Sequence, residues 1–176
     1  MWPSERPVAL LYCADPATVR FLAASGIVER RRVALVVPGR RQPPSALLAA
    51  LEADPALPVL VLHHADAAGC LEAPRLRAGL PPGTRVVDAG LRPRVAERAG
   101  PPVRLLPEPV LLAELARAGS VDAYERSWLA QGNSLPLAAV RPARLLQAVE
   151  RAVSRLDPEQ ERAAAFGFMA WPEPAR

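Results

Sequence analysis

Four short runs rich in aliphatic residues divide the first half of the chain. They cover residues 8–13, 33–37, 58–63 and 84–87. Continuous apolar runs of this length are typical of strands buried on both faces of a parallel sheet. Between the runs the apolar spacing is helical, as where Val19, Leu22 and Ala23 share one helix face. The alternation predicts an α/β fold with a Rossmann-like, mostly parallel four-stranded sheet flanked by helices.

Beyond about residue 108 the apolar spacing is helical. Helices are predicted within residues 110–119, 121–132 and 141–156. In the last of these, Leu145, Val149 and Val153 share a face opposite several arginines, which is typical of a helix lying on a core with a solvated charged face. We therefore expect an α/β domain over residues 1–107, C-terminal helices packed on the same domain over 108–164, and an apolar tail over 165–176.

The charge pattern excludes several classes of enzyme. The net charge is +4, and all 22 basic residues are arginine. Without lysine the chain has neither a Walker A phosphate loop nor a Schiff-base lysine. It also lacks GxSxG, HExxH and CxxC motifs. The bias toward arginine, alanine and proline is typical of a GC-rich coding sequence, so the basic surface favours nucleic acid less than its pI suggests.

Cysteine use and hydropathy indicate a cytoplasmic protein without membrane contact. Cys13 and Cys70 lie in apolar surroundings, where two buried thiols in a reducing compartment are expected. The N-terminal residues lack a signal-peptide hydrophobic region. No apolar run approaches the ~18 residues needed to span a membrane.

The candidate site residues are those that directly follow the strands in the sequence, because ligands of parallel α/β sheets bind beyond the carboxyl ends of the strands. His64 and Asp66 could bind a divalent metal, or His64 could act as a general base oriented by a carboxylate. Arg40 and Arg41 could bind phosphate, or could simply be solvated in a proline-rich loop. The polar residues predicted at this edge are Asp15, Arg40, Arg41, His63, His64, Asp66 and Asp88.

Each of the other edge residues also has a structural interpretation. Asp15 precedes Pro16 and suits a helix N-cap, and Asp66 could cap the following helix. Asp88 could be a turn residue before a glycine. His63, at the end of a strand, could be a hydrogen-bonded core histidine.

Three segments resemble the Toprim domain of topoisomerases, primases and related nucleases. The segments are CADPATVRFL (13–22), PGRRQPPSALLAAL (38–51) and HADAAG (64–69). The pattern is nearest to topoisomerase VI A-type proteins and to the nuclease subunit of Wadjet-type plasmid-defence systems. The resemblance implies a metal site for phosphodiester chemistry, built from a glutamate after the first strand and two aspartates after a later one.

The chain departs from this pattern at the positions that bind the metal in the family. The family's glutamate is replaced by Ala14 and its first aspartate by His64, while Asp66 and Gly69 are kept. Mg²⁺ prefers oxygen ligands and needs carboxylates beside the phosphates. We therefore expect a Toprim-like scaffold without cleavage chemistry and without a cofactor. It would be an accessory or structural subunit that acts through protein contacts in a nucleic-acid-related or bacterial defence complex.

Two alternatives remain open. The first is a nuclease or phosphoesterase dependent on Mg²⁺ or Mn²⁺, with catalytic His64 and Asp66, metal ligands among Asp66, Asp88 and Asp15, and phosphate bound by the two loop arginines. The second is a module that binds a small molecule or nucleotide, although no GxGxxG loop follows the first strand. Whether the chain is an enzyme is therefore undecided at this point, with a non-enzymatic role favoured.

Overall fold

A four-stranded parallel sheet organises the chain, as seen in a computed structural model that describes residues 1–38 and 43–156. The strands are β1 (Ala9–Cys13), β2 (Val33–Val36), β3 (Val59–Leu62) and β4 (Val86–Asp88). Their spatial order is β2-β1-β3-β4, and every neighbouring pair is parallel. The predicted Rossmann-like α/β fold is confirmed.

Eight α-helices and two further short strands lie within the described residues. The helices are α1 (Pro16–Ala24), α2 (Ile27–Arg30), α3 (Ser45–Ala53), α4 (Glu72–Gly79), α5 (Pro93–Ala99), α6 (Pro109–Ala118), α7 (Ala123–Ala130) and α8 (Pro142–Ser154). Single 3-10 turns cover Gly69–Leu71 and Leu137–Ala139. The strands β5 (Val103–Arg104) and β6 (Asn133–Ser134) form an antiparallel pair.

The sheet separates two hydrophobic cores, because successive side chains of a strand point to opposite faces. Leu10 and Val59 pack with α3 and α4 on one face. Leu11 and Leu60 pack on the other face with residues from α1, α2 and the C-terminal helices, including Trp128 of α7. Burial of both faces explains why β1, β2 and β3 have no charged residue at any position.

The start of α1 follows from its sequence. Asp15 has extended backbone angles, and its carboxylate accepts hydrogen bonds from the N–H groups of Ala17 and Thr18. Pro16 occupies the first helical position, where its missing N–H costs nothing. The predicted N-cap role of Asp15 is confirmed.

Three elements were not predicted from the sequence: the one-turn helix α2, the seven-residue helix α5 and the β5–β6 pair. All are too short for apolar periodicity to show. The fourth strand also begins later than the predicted residue 84, because the Thr84 N–H and hydroxyl both close a turn onto the Pro81 carbonyl.

None of the helices in the described part of the chain is long and apolar enough to cross a lipid bilayer. The loop arginines Arg40 and Arg41 and the apolar tail 165–176 lie outside the described residues.

Candidate functional site at the sheet edge

The carboxyl ends of β1, β3 and β4 bring the predicted polar residues to one edge of the sheet. Asp15 follows β1, the pair His63 and His64 follows β3, and Asp88 ends β4. Asp66 lies in the turn after β3. The three aspartates at this edge each accept hydrogen bonds from other groups of the protein, and this limits the chemistry that the edge can carry out.

The Asp15 carboxylate caps the N-terminus of α1. Besides the two N–H groups at the helix start, its carboxylate accepts the hydroxyl hydrogen bond of Thr18. Burial would raise the pKa of Asp15, but the bonds from Thr18 and Ala17 and the nearby His64 together lower it. This carboxylate therefore stays ionised at neutral pH and is used as a cap.

His64 and Asp66 lie close in sequence but are not hydrogen-bonded to each other. The Leu137 N–H donates to His64 Nδ1 over 3.0 Å, which places the proton of the neutral imidazole on Nε2. The Gly69 N–H donates to Asp66 Oδ1 over 2.6 Å. His64 is thus oriented by the backbone before α8, and Asp66 closes the turn ahead of α4.

Gly69 is required at this turn by a close approach of backbone. A Cβ at this position would lie 2.4 Å from the His64 carbonyl oxygen and 3.2 Å from Asp66 Oδ1. The Asp66–Gly69 pair, which the resemblance assigns to a metal motif, therefore has a sufficient structural reason within this fold.

A buried ion pair lies next to this turn. His63 is 2% exposed, and its Nε2 lies 2.9 Å from Asp88 Oδ1. Its Nδ1 lies 2.7 Å from the His64 carbonyl oxygen, which can only accept. Since both acceptors need a proton, the geometry fits the doubly protonated imidazolium. The prediction of a hydrogen-bonded core histidine is confirmed, with Asp88 as its partner.

The pair sets a pH dependence of stability. Burial would lower the pKa of His63, but the hydrogen bond and charge of Asp88 outweigh it, so the pKa is raised. The stabilisation that protonated His63 gives to the fold is therefore complete below the ordinary pKa of 6.5, and it is lost as pH rises through the raised pKa. The pKa of Asp88 is lowered, since bonds from His63 and Gly90 and the charge of Arg92 outweigh its burial. Its contribution is present above 3.8 and is lost as pH falls through the lowered pKa.

Arg92 extends the pair into a four-residue network. Its guanidinium lies 3.2 Å from Asp88 Oδ2, and it donates from Nε to Glu125 Oε1 over 3.1 Å. It also donates to the Ser120 carbonyl. Glu125 is buried at the start of α7, where it forms a capping box with Asp122. The network joins the end of β4 to α7 through alternating charges.

Glu72, at the start of α4, is the residue at this edge whose carboxylate is least well hydrogen-bonded. Its Oε2 is buried without a hydrogen-bond partner among the described residues. Burial raises the pKa of the Glu72 carboxyl to about 7, and the charge of Asp66 adds to this while His63 opposes it. The carboxyl therefore releases its proton near neutral pH, at a cost in stability.

Replacing Glu72 with glutamine is expected to stabilise the protein at high pH. The raised pKa means that the wild type loses stability as pH rises from 4.5 through about 7, and the neutral amide removes this loss. We expect a gain of about 2 kcal/mol at pH 8 and almost none near pH 4.5. Urea denaturation at both pH values measures it. Glu52→Gln, at an exposed site on α3, is the control, and an equal gain in both variants would contradict the role of burial.

The donor set does not fit a magnesium ion. Within residues 1–38 and 43–156, no three His, Cys, Asp or Glu side chains are grouped so that they could hold one metal. Asp15, Asp66 and Asp88 each accept hydrogen bonds from protein groups, so the lone pairs used in those bonds are not free to bind a metal. The metal and catalytic roles assigned to these residues and to His64 therefore stay predictions of the alternative function.

The two cysteines add no nucleophile. Both are buried and unpaired with each other, as predicted. Burial raises the pKa of Cys13 and of Cys70 to about 12. Their thiols are protonated at neutral pH, and the protonated form is a poor nucleophile.

Sequence reasoning missed Arg92, Glu125 and Glu72. Asp122 and Glu125 have the D-x-x-E spacing of a capping box, which a search for helix starts could have found. Nothing in the sequence shows that Arg92 reaches Glu125, since 33 positions separate them. For Glu72, the apolar residues just before it are the only local sign of burial.

Fold and site together define a Rossmann-like α/β protein whose sheet edge carries a histidine–aspartate–arginine–glutamate network. A scan against protein-family models matched none, and a search of curated proteins likewise found no match. The Toprim-like relationship therefore stays a prediction from the residues that carry it.

Proposed function

We propose that this chain is a non-catalytic, Toprim-like accessory or structural subunit that acts through protein contacts. The observation that carries the proposal is the internal use of the edge carboxylates. Asp15 and Asp66 cap helical turns, and Asp88 is bound by His63 and Arg92. An edge whose three aspartates already hold its own fold together favours a scaffold over phosphodiester cleavage.

An exposed apolar segment supplies a surface for such contacts. Residues 103–110, which we call the apolar strip, run from β5 to the start of α6 and are exposed throughout. Leu106 is 91% exposed and Val110 75%. Several large apolar side chains exposed side by side are typical of protein-contact surfaces. A cleft of about 110 Å³ beside the strip is lined partly by Asp66, so the surface continues to the sheet edge.

A plasmid-nicking assay with the full chain tests the proposal against its catalytic alternative. Supercoiled plasmid is incubated with the protein and Mg²⁺ or Mn²⁺, and calorimetry measures Mn²⁺ binding. We expect neither nicking nor saturable binding of the ion. Nicking that Asp66→Ala abolishes without a change in melting temperature would overturn the proposal and favour the metal-dependent nuclease.

The same variant gives a stability prediction. Asp66→Ala removes the acceptor of the Gly69 N–H, and we expect a loss of about 1 kcal/mol, the usual effect of losing a cap. Chemical denaturation measures it, with Glu52→Ala at an exposed site on α3 as the control. An unchanged unfolding free energy would show that the aspartate is not needed for the turn.

The contact surface has its own test. Leu106→Asp should abolish co-purification of the partner from the native host, whereas Ala116→Asp, exposed on α6, should retain it. Because Leu106 is almost fully exposed, its replacement should leave the melting temperature unchanged. A partner retained equally by both variants would exclude the apolar strip as the contact.

A further inference from the structure

A groove lies between α5 and α8, on the sheet face away from α3 and α4. It has a volume of about 380 Å³ and is mostly apolar, with Val95, Val140 and Ala148 among its lining residues. Val95 is 55% exposed, although it faces an apolar surface on α8. Two helices packed on one sheet normally close such a gap with side chains, and among the residues that the structure describes none fills it.

The sequence that follows α8 contains an apolar segment. Helix α8 forms one wall, and its last turn is followed by residues 157–176. Residues 157–162 are mostly charged, and residues 163–171 read AAAFGFMAW. The 13 residues of α8 span about 20 Å. Six extended residues also span about 20 Å, so the apolar segment can reach any part of the groove.

The charges of the two surfaces are complementary. Arg98 and Arg144 line the groove, and within the described residues neither forms an ion pair. The chain after residue 156 carries four acids and two arginines around its apolar segment, so these flanks are acidic on balance; the acids are Asp157, Glu159, Glu161 and Glu173, and the arginines are Arg162 and Arg176. A segment lying in the groove would bring acids at both of its ends toward this pair of arginines.

We propose that residues 163–171 dock in the groove between α5 and α8 of their own chain. The aromatic residues of the segment fill the apolar floor, and its flanking acids meet Arg98 and Arg144. This inference is independent of the proposed function, because the groove and the apolar strip are separate surfaces.

Disulfide trapping in the full chain tests the docking. Met169→Cys is combined with Val95→Cys in the groove, Ala17→Cys beside the other flank of α8, or Ala78→Cys on the opposite sheet face. We expect the Val95 pair to form an intramolecular disulfide about tenfold faster than the other two, as an added 1.4 kcal/mol of local preference gives. Equal rates, a faster reaction at Ala17, or a disulfide between two chains would each overturn the proposal.

A second measurement does not depend on engineered cysteines. Trypsin cleavage after Arg162 should be slowed by docking, because a protease needs the segment released. Arg98→Glu with Arg144→Glu should speed this cleavage severalfold, whereas Arg85→Glu, at an exposed site that does not line the groove, should not. Equal cleavage rates in the wild type, the double variant and the Arg85 variant would show that Arg98 and Arg144 do not hold the segment in the groove.

Discussion

Replacing Arg92 with methionine is expected to lower the free energy of unfolding by about 3 kcal/mol. The substitution leaves Glu125 buried without its cation and removes one of the two cations bound to Asp88. Breaking a buried ion pair by removing one partner is strongly destabilising, because the remaining charge has lost its solvation. Arg92 keeps a third of its side chain exposed, so the lower end of the usual range applies. Denaturant unfolding at pH 7 measures the loss.

Arg94 provides a matched control two residues away. It pairs with Asp122 over 2.7 Å, but both side chains are at least half exposed. Because exposed pairs contribute little, Arg94→Met should cost no more than about 1 kcal/mol. Adding Glu125→Gln to the Arg92 variant removes the orphaned charge and should recover part of the loss. Similar losses for both single variants would show that burial is not the cause.

Replacing Gly90 with alanine is expected to destabilise the protein by about 3 kcal/mol, through overpacking. A Cβ at position 90 would lie 2.1–2.4 Å from ring atoms of His63, which is buried and held at both nitrogens. The ring cannot move without breaking its bond to Asp88, so the clash disturbs the ion pair as well. Thermal unfolding followed by circular dichroism measures the effect.

Gly100 offers the comparison for this variant. It has an extended φ of 174°, and a Cβ there would meet nothing within 4 Å. Gly100→Ala should therefore change the unfolding free energy by less than about 1 kcal/mol, and in the stabilising direction. A Gly90 variant as stable as this one would mean that the His63 ring is not fixed in its place.

The sheet could be predicted from the sequence because its signal is local. Strands buried on both faces are apolar at each position, and Asp15–Pro16 marks the start of a helix directly. The residues at the sheet edge could also be predicted, since parallel strands place their carboxyl ends together. His63 and Asp88 were thus correctly placed at one edge, although their pairing was not foreseen.

The network beyond this pair could not be predicted, because its contacts are long-range. Arg92 meets Glu125 only after α5, α6 and α7 have folded back onto the sheet. Burial of Glu125 is equally invisible, since a glutamate in the first turn of a helix is usually a solvated residue. The interpretation of His64 with Asp66 as a metal pair came from spacing in the chain, whereas hydrogen bonds orient the two side chains toward different partners.

The edge of the sheet also depends on a segment synthesised much later. Ala65 and Leu135 exchange backbone hydrogen bonds of 3.0 and 3.1 Å, and the Leu137 N–H reaches His64. On the ribosome the strands therefore emerge well before the residues that complete their carboxyl end. A nascent chain ending near residue 107 would leave the Ala65 backbone unpaired, so vectorial folding stays unfinished until the turn before α8 has left the exit tunnel.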